Sequence, residues 1–341
     1  IVQCLELHLV TATGDEFELC LSAISSLIHR LQVDVSEDDR EAALWEVVPI
    51  LPCLVQLCGE DRFSQLSFDR TRLYTCIFAL FLIVPDLDFE EVLSTTSEKV
   101  SEQLTFLKKT LTLCASALDV GVYPKRWTLM GMFQFLVILK VIRVSSASIY
   151  RLIFMSSSRD FDAETVREYL LLNINFLSAS ELELETFSPT KRENIISRYG
   201  DLRIEASSLI LYVWDGIGFD QMRFIREFLQ GFLRLALSNC QTLRDAGRKL
   251  FLGSVLREYT ETGALKNVEH RTIDAVDLIV REGKKDELFR EHFMPALAKE
   301  IKDMHEVSEA GTAFVSDVSQ LYDLLSTLQN IDKDSKFEDE R

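Results

Sequence analysis

The sequence predicts an all-α protein, an irregular armadillo- or HEAT-like α-solenoid of stacked antiparallel helices, on three observations. Only 6 prolines and 13 glycines occur in 341 residues, so few breaks are specified and long helices are favoured. Apolar residues recur in steps of three and four in one segment after another, with short polar breaks between them. Strand-like alternation is scarce. At 47% hydrophobic and 27% charged, the chain falls among ordered globular proteins. Its length exceeds what one small helical core organises, and short connections imply antiparallel neighbours stacked in pairs. No strict repeat aligns, which makes the expected solenoid irregular.

In chain order, Phe17, Cys20, Leu21, Ile24, Leu27, Ile28 and Leu31 define the first helix. The acidic break Asp34 to Asp39 ends it, and Asp38 or Asp39 offers a cap for a helix running through Trp45 toward Cys58. Asp69 to Val84 follows, closed by Pro85; its solid apolar run Ile77 to Val84 reads as a buried helix rather than a strand. Ser97 to Leu118 ends near Gly121, and a long helix runs from Pro124 toward Met155. Ser156 to Asp160 reads as a loop. Helical patterns then cover 162–179, 189–198, 201–217, 221–238, 241–260, 264–282 and 285–303. The last, Ala313 to Ile331, carries Phe314, Val318, Leu321, Leu325 and Leu328 on one face. The expected organisation is a helical-repeat region over 1–331, with two subregions meeting near 156–162, and a charged tail or linker over 332–341 leading toward a further domain. A chain that opens at Ile1, inside a leucine-rich helical pattern, is expected to be a piece of a longer polypeptide.

Tyr199-Gly200-Asp201-Leu202-Arg203 separates two of these patterns. Glycine adopts the left-handed conformation that ends a helix, and a short aspartate caps the next one. The downstream stripe Leu202, Ala206, Leu209, Ile210, Val213 and Ile217 then demands a packing partner. Asp201 and Arg203 could instead form a charged binding site, but capping already accounts for the aspartate and no nucleophile lies nearby.

The formal charge of −17 disfavours nucleic acid and an anionic membrane surface as partners. The basic pairs Lys108-Lys109, Lys125-Arg126, Lys191-Arg192 and Lys284-Lys285 are too scattered to reverse it. Seven cysteines, at 4, 20, 53, 58, 76, 114 and 240, form no CxxC pair and read as reduced core residues. With no glycosylation sequon and no signal peptide, a cytoplasmic setting is expected. The apolar segment Leu129 to Val144, interrupted by Gln134, Lys140 and Arg143, falls short of a bilayer span, so no direct membrane insertion is expected.

HExxH, EF-hand, GxxxxGK[ST] and GxSxG are all absent, and Gly216-Ile217-Gly218 lacks the rest of a dinucleotide fingerprint. His8, His29, His270, His292 and His305 are dispersed and have no cysteine beside them, so surface or capping roles are expected. Glu181-Leu182-Glu183-Leu184-Glu185 reads as a solvated connector with two buried leucines rather than a strand or an acid pair. No catalytic, cofactor-binding or metal-ligating residue is assigned.

Several segments together resemble the dedicator of cytokinesis family of guanine nucleotide exchange factors, most closely its Rac-directed subgroup. They are Tyr123-Pro124 with Trp127, Phe187-Ser188 with Lys191 and Ile195, Tyr199-Gly200-Asp201-Leu202-Arg203, Trp214, Phe224-Ile225 and Leu243-Arg244. Gly283-Lys284-Lys285-Asp286-Glu287 then leads to Phe289-Arg290-Glu291 and Phe293. Their order and spacing over roughly two hundred residues carry the resemblance, while residues 1–119 match in general helical character. The resemblance implies the helical-repeat segment that precedes the catalytic exchange domain, a scaffold that positions the lipid-binding and exchange domains. It also implies a surface for self-association with a second copy or for regulation, in a parent that binds a Rac-type GTPase and an adaptor of the ELMO type. That parent would drive actin remodelling, migration or engulfment, and would be recruited to the plasma membrane; no catalytic residue carries over to this chain. The alternative is a free-standing solenoid adaptor gripping peptides or protein partners. An all-α enzyme has no motif behind it.

Overall fold

The computed structural model describes residues 15–33, 37–58, 70–96, 99–124, 127–155, 161–282, 287–304 and 307–339, together with Leu5 and Leu9. They form an all-α structure with no strand among the described residues. The chain divides into two compact units, Ile1–Phe176 and Leu177–Arg341. The expected junction at 156–162 lies upstream of this division, and its residues 156–160 fall outside the described part.

The first unit contains α1 (Asp15–Val33), α2 (Glu37–Val47), α3 (Ile50–Cys58), α4 (Arg70–Ile83), α5 (Phe89–Thr96), α6 (Val100–Val120), α7 (Thr128–Ile149) and α8 (Ala163–Leu177), the last ending at the division. Helices pack on chain neighbours and also three places along, α1 on α4, α3 on α6 and α4 on α7. That is the spacing of a solenoid repeat built from three helices. The buried side of α4 carries Leu73, Cys76, Ile77, Phe78, Leu80 and Phe81, confirming the Ile77 to Val84 run as a core helix.

The helix expected from Asp38 toward Cys58 is two helices. Pro49 has no N–H to give to the preceding turn, so α2 ends and the chain turns through Val48 before α3 begins. Periodicity assigns no element to α5, which is only 8 residues long and buries Phe89, Val92 and Leu93. The long helix after Pro124 is α7 followed by a π-turn at Tyr150–Phe154, where Met155 N–H donates to the Tyr150 carbonyl at 2.9 Å. Together they span Thr128–Phe154, 27 residues, which corrects the reading that this segment is too short to cross a bilayer. Most of it is buried within the unit, as in the core helix of a water-soluble fold.

The second unit contains α9 (Pro189–Tyr199), α10 (Leu202–Ile217), α11 (Met222–Ala236), α12 (Gln241–Thr262), α13 (Lys266–Glu282), α14 (Met294–Asp303) and α15 (Ser308–Asp339). Here α10 packs on α12, α11 on α13 and α13 on α15, the two-helix spacing, alongside contacts between chain neighbours. The strongly amphipathic α11 buries Phe224, Ile225, Phe228, Leu229, Phe232 and Leu233. Each such side chain contributes about 1.5–3 kcal/mol when fully buried. A Cβ on Gly247 would lie 2.3 Å from the Ala236 backbone nitrogen, so α12 can approach the end of α11 only with glycine there. Aromatic pairs complete the core: Trp214 edge-on to Phe232 at 4.9 Å and Phe289 stacked on Tyr322 at 4.5 Å. Before α14 the chain makes a second π-turn, Leu288–Phe293, which periodicity cannot distinguish from α-helix. α15 continues to Asp339, through most of the segment expected to be a charged tail.

Candidate functional site

The densest polar constellation lies at the corner between α9 and α10. Gly200 takes φ 71°, ending α9, and its N–H donates to the Ile196 carbonyl. Asp201 then caps α10, accepting from the Arg203 backbone N–H at 3.1 Å. This is the capping role the sequence assigns to it. The Arg203 side chain is 3% exposed. It donates from Nη1 and Nη2 to both Glu185 carboxylate oxygens at 2.8 and 2.9 Å, and from Nε and Nη2 to Asp201 at 2.9 and 2.8 Å.

Burial works against the guanidinium charge, but the hydrogen bonds to Asp201 and Glu185 outweigh it and hold Arg203 above its ordinary pKa. The same hydrogen bond from Arg203 holds the Glu185 carboxyl below the usual carboxylate range, against the opposing effect of burial. Glu185 reaches this place because the connector folds as two tight turns, Ser180–Leu182 and Leu184–Thr186, that bury Leu182 and Leu184 as expected. A polar cavity of about 120 Å³ adjoins the network, lined in part by Glu183, Glu185, Arg203, Arg234 and Asn239. Arg203 is fully engaged by two carboxylates, so the corner fixes backbone geometry and offers neither a nucleophile nor a poised base.

A second buried charge, Glu258 on α12, is 1% exposed. Its two oxygens accept from the Asn267 N–H at 2.8 Å, the Asn267 amide at 2.7 Å and the Val268 N–H at 2.8 Å. One helix thus supplies the N-terminal cap of the next. Sequence reasoning missed both networks, although a signal exists. Arg203 shares the buried stripe with Ser207, Ile210, Trp214 and Ile217, and Glu258 lies on the same face as Phe251 and Val255; a charge on a buried stripe requires a partner.

The residues that carry the resemblance take definite places. Tyr123 is buried, its hydroxyl 3.0 Å from that of Thr75, while Trp127 is 57% exposed. Lys191 Nζ sits 3.8 Å over the Phe187 ring. Trp214 is 2% exposed, as expected of a core aromatic, and its indole N–H has no partner among the described residues. Leu243 is buried, and Arg244 donates to the Ser238 and Asn239 carbonyls at 3.0 and 2.9 Å, closing the turn before α12. Phe289 and Phe293 are core residues, and Arg290 pairs with Asp323 at 3.1 Å over the Tyr322 ring. Lys125, Arg126 and Gly283 to Asp286 lie outside the described residues.

His29, His270 and His292 are exposed, while His8 and His305 lie outside the described part. Among the described residues no three His, Cys, Asp or Glu side chains cluster as metal ligands would. Cys20, Cys76, Cys114 and Cys240 are buried, Cys53 and Cys58 half-buried, and burial pushes Cys76 up to about 11.

Comparison with known proteins agrees with this architecture. Residues 1–296 match the family described as the dedicator of cytokinesis (DOCK) TPR region, which extends the likeness to the N-terminal helices. Human dedicator of cytokinesis protein 4 is 28% identical over 250 residues, 73% of this chain and 12% of that protein. Human dedicator of cytokinesis protein 3 is 25% identical over 291 residues, 82% of this chain and 14% of that protein. The mouse protein 4 is 27% identical over 259 residues. The chain thus spans about an eighth of the length of these curated relatives. With most of its length matched, the chain belongs to the dedicator of cytokinesis family, as its TPR region.

Proposed function

We propose that this chain is the helical scaffold of a Rac-type guanine nucleotide exchange factor, holding its lipid-binding and exchange domains at a working separation. The match to the family's TPR region over residues 1–296 carries this reading. Supporting it, buried charges tie elements of the second unit together at two of its corners, which suits a part that must keep a fixed geometry. In this reading the parent expels GDP from a Rac-type GTPase, works with an adaptor of the ELMO type, and acts from the cytoplasm on the plasma membrane to direct actin remodelling, migration or engulfment. The nucleotide-expelling chemistry belongs to a different part of the parent.

The test has two arms. The isolated chain is mixed with a Rac-type GTPase loaded with labelled GDP, and no acceleration of release is expected. In the parent, exchanging this segment for a flexible linker of similar reach should preserve release in solution and lower it on vesicles bearing the anchored GTPase. Release by the isolated chain, or an unchanged vesicle rate after the exchange, overturns the reading.

A further inference from the structure

A polar cleft of about 340 Å³ lies between α11 and α13, lined by Arg226, Asn267, His270, Arg271 and Asp274. Its charges do not balance internally. Arg271 is matched by Asp274 at 3.3 Å, and the Asn267 amide is taken by Glu258. Arg226 and His270 are exposed and make no hydrogen bond, ion pair or ring contact among the described residues. One arginine charge is therefore left over, facing a concave polar wall, in a chain whose formal charge is −17. Ile273, 44% exposed, adjoins His270 on the same helix one turn on.

We propose that this cleft receives one aspartate or glutamate side chain of a protein partner. A guanidinium presents a planar fork that matches a carboxylate in a bidentate pair, and the His270 imidazole adds a donor from the opposite helix. The count of charge favours a carboxylate over a phosphate. A single negative charge neutralises Arg226, whereas a dianion brings one charge more than the cleft can match. A protein fits better than an anionic bilayer because a chain of formal charge −17 is repelled by such an extended surface. Ile273 gives the partner's neighbouring residue an apolar seat, so the recognised unit is an acidic residue next to an apolar one.

The test uses the whole chain with carbon-13-labelled histidine, the His270 resonance being assigned by its loss in His270→Gln. Acetyl-Leu-Glu-amide should move this resonance saturably, and acetyl-Leu-Gln-amide should not. Arg226→Gln should weaken the Glu peptide roughly tenfold or more, the scale of one lost charge-assisted hydrogen bond. Lys299→Gln, an equal charge change on an exposed residue of α14, should leave binding unchanged. Unaltered thermal unfolding of Arg226→Gln separates lost binding from lost folding. Equal shifts with the Gln peptide, or undiminished binding in Arg226→Gln, overturn the proposal. So does tighter binding of inorganic phosphate, or Arg226-dependent binding to anionic vesicles without peptide binding.

Discussion

The two units use buried polarity differently. In Ile1–Phe176 the buried polar side chains among the described residues are all uncharged: Gln103, Thr110, Gln134, Ser145, Ser146, Ser148, Thr165 and Asn173. Several bond back into their own helix, as Thr110 does to the Phe106 carbonyl and Ser148 to the Val144 carbonyl. Charge stays toward the rim. Lys140 donates to the Leu82 and Val84 carbonyls at the end of α4 and lies 3.4 Å from Asp86, which Arg143 also holds. In Leu177–Arg341, by contrast, Arg203 and Glu258 are buried outright at the corners. The lesson is one of replaceability. A rim pair keeps solvent and a second partner to fall back on, whereas a buried charge that loses its partner has neither.

The comparison can be broken by mutation. Trp214→Ala removes a 2%-exposed indole from the second unit and should cost about 3–5 kcal/mol, read by denaturant unfolding. Unchanged unfolding would show that the core face of α10 is misplaced. Arg203→Met leaves Glu185 and Asp201 without their shared cation and should cost about 3 kcal/mol near neutral pH.

Acidity separates these two variants. Because the folded pKa of Glu185 is depressed, its contribution is complete above the unfolded carboxylate value of about 4.3 and is lost as pH falls through the lower folded value. The deficits of Arg203→Met and Glu185→Gln relative to the parent sequence should therefore shrink only as pH falls below about 4.3, while that of Trp214→Ala persists. Parallel pH profiles for all three would remove the electrostatic account of the corner.

The smallest effect is expected in the first unit. Burial lowers the Lys140 pKa, with Asp86 opposing, so removing this charge also removes a desolvation cost. Lys140→Met should cost about 1 kcal/mol, with Arg143 retaining Asp86. A loss exceeding that of Arg203→Met would reverse the contrast between the units.

Most of the helical architecture is legible in the sequence because a 3.6-residue stripe demands burial whatever lies opposite it. The 201–217 pattern locates α10 to within a residue, and Gly200-Asp201 marks its corner. What escapes is what periodicity does not encode. The turn at Pro49 divides a pattern that looks continuous, and α5 is too short to display a period. Glu185 as the second partner of Arg203, and Asn267 and Val268 as those of Glu258, are tertiary facts, 18 and 9 to 10 residues away, although the burial of a charge signals that partners exist. The cleft at Arg226 is hidden for the same reason, since its lining is drawn from two helices separated along the chain by α12.

The cap that Glu258 lends to α13 also has a kinetic meaning. The first turn of α13 lacks acceptors for its N–H groups until the far end of α12 is in place, so ordering of one helix prepares the start of the next. At an earlier corner Arg203 reaches back past α9 to Glu185. The Glu258 closure spans only 9 to 10 residues, which favours rapid formation and lets structure spread from α12 to α13, while the Arg203 closure encloses α9. The second unit is thereby built to assemble in sequence, in step with a chain that emerges from the ribosome N-terminus first.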